Sequence, residues 1–230
     1  MVARVVEKKP HTFTIGGPTF IAIFLTPAAV YSANLFLAET SGVEIPMIAA
    51  LSAIAVAYAM GEGIGRLACI SFGCCYGKPL ADCGDMVRRL IGRHAFVFSG
   101  KTKKIAYESD MEGREVVPIR AITSVAYVVA GLISLWLYLN PHFLTSLLVA
   151  MLTTQLWRIL SEALRADYRG VGTVSAYQVM AGIAVIITIV VGFVVSAESV
   201  PIPNLILGLK TLWNPAMIIP LQLTGILTFM

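Results

Sequence analysis

The chain has 230 residues, of which 57% are hydrophobic and only 13% charged. A soluble domain carries about 25% charged residues, so this composition points to an integral membrane protein and excludes disorder, a collagen-like repeat and a coiled coil. The balance of 17 Lys+Arg against 13 Asp+Glu is too mild for nucleic-acid binding, and in a membrane chain basic residues report topology instead.

Uncharged runs mark the predicted spans in chain order. Thr12 to Ala38 is a run of 27 residues and Ile45 to Gly61 one of 17. Arg120 and Arg158 bracket 37 uncharged residues, too many for one span of ~20. Asn140-Pro141-His142 splits that stretch in two. Val171 to Ala197 adds 27 residues, and Thr211 to Met230 adds 20 that Pro215 and Pro220 interrupt. The expectation is an all-α integral membrane protein with five to six transmembrane helices. Run length favours helices over a barrel, whose strands alternate over ~10 residues. The first eleven residues carry three basic side chains, but the 27-residue run exceeds a signal h-region of ~7–15, so the first helix is expected to stay in the mature protein.

Lys78 to Pro118 departs from this pattern, holding 14 of the 30 charged residues. Cys83, Asp85, Arg88, Arg89 and Arg93 suggest a short polar helix. Phe96-Val97-Phe98, a Ser99-Gly100-Lys101 turn and Ile105-Ala106-Tyr107 suggest a β-hairpin, with a second turn at Glu112-Gly113-Arg114. The expected organisation is a single membrane domain over 1–230 with a small extramembrane α/β head inserted at 78–118. Alternating spans put the N-terminus, the head and Arg165 to Arg169 on one side, with nearly all Lys and Arg. The other side has Glu39, Glu44, Glu198 and Lys210. The positive-inside rule places the basic side in the cytoplasm.

Two stretches carry candidate chemistry. The first is Gly61 to Pro79, GEGIGRLACISFGCCYGKP, whose glycines permit close approach of backbone to a ligand. Arg66 within it is either a functional cation or an interfacial arginine reaching lipid phosphates nonspecifically. The second is Gln155 to Gly170, where Gln155, Arg158, Glu162 and Arg165 fall at helical spacings on one face. Arg158 and Glu162 can pair at i,i+4, leaving positive charge for an anion such as phosphate. The alternative is a structural ion pair that fixes helix register. Asp167, Tyr168 and Arg169 mark the exit from the membrane. Cys69, Cys74, Cys75 and Cys83 do not follow a zinc spacing, and a metal is not expected. Their alternatives are apolar packing or a thiol activated near Arg66. His11, His94 and His142 are scattered, and no P-loop, Ser/His/Asp set or H-E-x-x-H is present.

These two stretches resemble the prolipoprotein diacylglyceryl transferase family. Its signature, Gly-Arg-x-Gly-(Asn/Cys)-Phe-x-x-Gly-(Glu/Cys)-x-(Tyr/Trp)-Gly-(Arg/Lys), is similar to Gly65-Arg66-Leu67-Ala68-Cys69-Ile70-Ser71-Phe72-Gly73-Cys74-Cys75-Tyr76-Gly77-Lys78. A second family pattern is matched by Arg158, Glu162, Arg165 and Asp167, followed by Ser175 and Gln178. The resemblance covers roughly Phe13 to Ala197. It departs at the family's His-Gly-Gly, here Ile15-Gly16-Gly17, and at Pro-x-Gln-Leu-Tyr-Glu, here Pro118-Ile119-Arg120-Ala121-Ile122-Thr123. The one or two helices that precede His-Gly-Gly in the family have no counterpart, which suits a diverged paralogue or an internal start.

The resemblance implies a membrane transferase that moves a diacylglyceryl group from phosphatidylglycerol to the lipobox cysteine thiol of a prolipoprotein. That is the first step of lipoprotein maturation at the bacterial cytoplasmic (inner) membrane. It implies catalytic roles for Arg66, Arg158 and Glu162, with Arg66 and Arg158 holding the phosphate and Glu162 orienting Arg158. Substrate binding would involve Arg165, Gly65, Gly73, Cys74, Tyr76, Gly77 and Gln178. The implied partners are phosphatidylglycerol, the prolipoprotein and membrane lipids, without a cofactor, metal or nucleic acid. The family's head lies at the outer face, opposite to the side given by charge bias. The missing histidine leaves two other readings open: a phospholipid-using transferase with another acceptor, and a non-catalytic phospholipid-binding protein or transporter.

Overall fold

The computed structural model describes residues 16–40, 42, 44–166, 174–195, 200 and 202–229. The first eleven residues, Ile15 and the Asp167-Tyr168-Arg169 exit lie outside the described residues. In chain order the helices are α1 (Gly16–Thr40), α2 (Met47–Phe72), the short α3 (Asp85–Ile91) and α4 (Lys104–Ser109), α5 (Ile119–Leu139), α6 (Phe143–Glu162), α7 (Ala176–Val194), α8 (Leu205–Leu212) and α9 (Pro215–Phe229). Among the described residues, α1, α2, α5, α6 and α7 are long and apolar enough to cross a membrane. The chain is thus an all-α multi-pass membrane protein. The tail expected as a sixth span is divided between α8 and α9. Pro215 opens α9, whose 15 residues fall short of the ~20 a span needs.

The second span differs most from its expected bounds. The charge-free run ends at Gly61, but α2 continues through Glu62 and Arg66 to Phe72. It stops where Gly73 takes φ 59 and its N–H bonds the carbonyls of Cys69 and Ile70. A left-handed residue after the last turn is a common helix stop, and glycine adopts it without a Cβ penalty. Glu62 and Arg66 therefore belong to the membrane helix.

α2 is the centre of the bundle, packed on both α5 and α6. Ile48, Leu51, Ala55 and Ala59 of α2 meet Phe143, Leu147, Ala150 and Met151 of α6. Small residues bring the backbones close, as is usual between membrane helices. A Cβ on Gly63 would press on Tyr127 and Val128 of α5, and one on Gly131 of α5 would press on Met60. Two buried hydroxyls tie neighbouring helices through backbone: Ser146 Oγ donates to Ser134 O at 2.7 Å and Tyr127 Oη to Thr154 O at 2.7 Å. The outer faces carry exposed Leu25, Phe36, Leu132, Trp136 and Phe193, an apolar exterior suited to lipid.

The segment joining α2 to α5 contains α3, as the polar sequence suggests, but its strands pair differently from the expectation. Phe96–Val97 pairs antiparallel with Glu115–Val116, not with Ile105-Ala106-Tyr107. The latter residues form α4. Ile105 is fully buried there beside Tyr76 and Val116, and that packing outweighs its strand propensity. The turn at Glu112-Gly113-Arg114 is present, with Gly113 at φ 76.

Candidate functional site

Tyr58, Glu62 and Arg66 follow one another at four-residue intervals along α2, and so share one face. Arg158 reaches that face from α6. Its Nη2 donates to both carboxylate oxygens of Glu62 at 2.8 Å and to Tyr58 Oη at 2.9 Å. Arg66 Nη2 donates to the same Glu62 carboxylate from four residues along α2. The Glu62 side chain is 2% exposed, against 12% for Arg66 and 13% for Arg158. Gln155, one turn before Arg158, donates to Tyr58 Oη at 3.4 Å.

Two guanidiniums thus share one carboxylate, and the cluster retains a positive charge. Breaking such a buried pair is costly, because it leaves an uncompensated charge in low dielectric. Arg66 Nε is buried and has no hydrogen-bond partner among the described residues. Buried polar groups are ordinarily satisfied, so this donor is available to an anionic ligand.

This arrangement corrects the expected pairing of Arg158 with Glu162. The carboxylate opposite Arg158 is Glu62, because α2 and α6 pack face to face. Glu162, at the end of α6, is instead bridged to Arg165 at 3.7 Å. Sequence reasoning passed over Glu62 and Tyr58. Their signal was the Tyr58–Glu62–Arg66 spacing, obscured when the span was ended at the first charge.

The two motif stretches do meet. Gly77 and Arg165 form an antiparallel bridge. Lys78 N–H donates to Leu164 O at 2.9 Å, and Ala166 N–H to Tyr76 O at 3.3 Å. Tyr76 is 3% exposed, packed with Ile105 and Val116. A Cβ at Gly77 would overlap the carbonyl oxygen of Val117, so only glycine fits the crossing. Gly73 holds the helix stop, whereas Gly65 faces open space. Gly77→Ala is expected to lower stability by about 1–3 kcal/mol through overpacking. Gly65→Ala is expected not to lower it. Thermal unfolding in detergent measures both, and equal melting temperatures would contradict this account of Gly77.

Gln178 is engaged structurally. Its side chain and Ser175 form a reciprocal capping box at the start of α7, and Nε2 donates to Ile159 O of α6 at 3.2 Å. Arg120, which stands where the family pattern has glutamine, is buried and donates from Nε to Cys75 O at 2.7 Å. Hydrogen bonds from Cys69 and Cys74, followed by the fields of Arg120 and Arg165, hold the Cys75 thiol below its ordinary pKa.

A cavity of about 320 Å³ opens between α1, α2, α6 and α7, lined by apolar groups such as Ile23, Leu51, Met151 and Val191. Tyr58 also lines it. The tyrosine therefore joins an apolar chamber to the arginine pair, and the two together suit an amphiphile with an anionic head. The family model described as Prolipoprotein diacylglyceryl transferase matches residues 21–195, from within α1 to the residue after α7. No curated protein and no solved structure matches significantly.

Proposed function

The chain belongs to the prolipoprotein diacylglyceryl transferase family, and we propose that its donor is phosphatidylglycerol and its acceptor the cysteine thiol of a prolipoprotein lipobox. Membership makes the chain a multi-pass membrane transferase; the donor, the acceptor and residence in a bacterial inner membrane belong to our reading. The observation that carries it is Arg66 and Arg158 converging on Glu62 beside an apolar cavity that shares Tyr58.

In the reaction the thiol sulfur bonds to the glyceryl carbon while that carbon's bond to the phosphate oxygen breaks. The thiol proton is lost and glycerol phosphate leaves. The phosphate gains charge as the bond breaks, so cations fixed beside it bind the transition state more tightly than the lipid. Arg66 and Arg158 hold the phosphate, Glu62 keeps the two guanidiniums together, and the cavity takes an acyl chain. Glu162 ends α6 and Arg165 follows it; Arg165 adds positive field and Glu162 holds it in place. Gly77 lets the segment that carries Tyr76 cross close to Val117, just before α5. Cys74 contributes to the wall next to Cys75, whose carbonyl accepts from Arg120, and the reading calls on no cofactor.

The family's histidine has no counterpart here, and Arg120 replaces its glutamine. These departures bear on the acceptor more than on the donor. They support a second reading, a phospholipid-dependent transferase with a different acceptor. Purified protein, given phosphatidylglycerol and a lipobox peptide, is expected to yield diacylglyceryl peptide and glycerol phosphate. Glycerol phosphate release without modified peptide would favour the second reading. Lipid binding with neither product would leave a non-catalytic lipid-binding protein.

A further inference from the structure

Four cysteines spaced C-x4-CC-x7-C look unrelated as a sequence, but the fold gathers three of them. The stop of α2 turns the chain back on itself: Gly73 is at φ 59, Cys75 at φ 55, and Cys74 N–H bonds Cys69 O at 3.1 Å. The Sγ atoms of Cys69, Cys74 and Cys75 consequently lie within 4.8 Å of one another. All three are half-buried free thiols. The fourth, Cys83, is buried elsewhere with its thiol directed at Pro79 O, 3.4 Å away.

We propose that Cys69, Cys74 and Cys75 form a three-thiolate site for one soft monovalent metal ion, Cu(I). Soft thiolates select Cu(I) and zinc over harder cations. Metal–sulfur bonds of ~2.3 Å need only small rotamer adjustments to close a trio at this separation. Structural zinc takes four protein ligands, and among the described residues no histidine, carboxylate or fourth cysteine joins the three. Three thiolates around Cu(I) leave two negative charges, one of which is offset by Arg120, whose guanidinium is bonded to the Cys75 carbonyl. On binding, three S–H bonds are replaced by three Cu–S bonds, three protons pass to solvent, and the copper stays Cu(I). The bound ion would cross-link the end of α2 to the segment that leads into Tyr76 and Gly77.

The test uses the full chain, purified in detergent under reducing conditions and titrated with Cu(I) held by a colorimetric chelator. The wild type is expected to withdraw one Cu(I) per chain. Loss of a coordinating sulfur exceeds the 10–100-fold cost of an outer-shell change, so Cys69→Ser, Cys74→Ser and Cys75→Ser should each weaken binding by more than about 100-fold. Cys83→Ser should bind as the wild type does. X-ray absorption of the loaded wild type should show a shell of three sulfurs, a readout independent of whether any variant folds. Equal Cu(I) uptake by the triple serine variant, tighter binding of Zn2+ than Cu(I), or a shell without three sulfurs would overturn the proposal.

Discussion

Arg158→Ala is expected to lower the rate of glyceryl transfer by about 10²–10³-fold, the range seen when one fixed donor to a developing anion is removed. Arg158 donates to Glu62 and Tyr58 through a single nitrogen, Nη2, so its guanidinium is oriented across the gap between α6 and α2. Alanine leaves Arg66 to hold Glu62 alone. The cluster then passes from net positive to neutral, where a phosphate has no Coulombic reason to sit. Arg158→Lys keeps the charge but not the planar fork, and is expected to recover part of the activity. The loss should fall mainly on kcat, because the phosphate carries more charge as it leaves than while esterified. Transfer from labelled phosphatidylglycerol to a lipobox peptide measures all three proteins. A rate for the alanine variant within threefold of wild type, or a lysine variant no better than alanine, would remove Arg158 from the phosphate site.

The spans were legible because lipid-facing helices exclude charge, and five uncharged runs correspond to the five long apolar helices. The same rule concealed the site. A run of uncharged residues ends at the first charge, yet α2 carries Glu62 and Arg66 inside the bundle, where Arg158 compensates them. Charges that cancel across two helices are invisible to a one-dimensional count, so Arg158 was assigned its sequence neighbour Glu162 as partner. The polar segment failed for a related reason. Ile105-Ala106-Tyr107 reads as a strand by composition, and only its packing with Tyr76 and Val116 makes it helical. The bridge between Gly77 and Arg165 was legible in part: both motifs were found, and the fold supplied their contact. The thiol trio was not legible, because it depends on the left-handed backbone of Gly73 and Cys75.

Glu62→Gln is expected to cost about 3 kcal/mol of stability, since it keeps the side-chain volume but leaves two part-buried guanidiniums without their shared carboxylate. For a chain of this size that corresponds to a fall in melting temperature of about 10 °C. Glu162→Gln is expected to cost less, because Glu162 meets Arg165 at 3.7 Å and lies beyond the Arg66–Arg158 pair. Added phosphatidylglycerol separates a structural ion pair from a phosphate site. A lipid phosphate can supply the anion that Glu62→Gln removes, and a ligand that binds the folded state stabilises it in proportion to its affinity. The variant should therefore gain more thermal stability from phosphatidylglycerol than the wild type does, whereas a zwitterionic lipid should distinguish the two less. If neither lipid stabilises the variant more than it stabilises the wild type, Glu62 fixes helix register and the arginines do not read phosphate. If only the variant's deficit is repaired, and by the anionic lipid, the carboxylate holds the place where the phosphate binds.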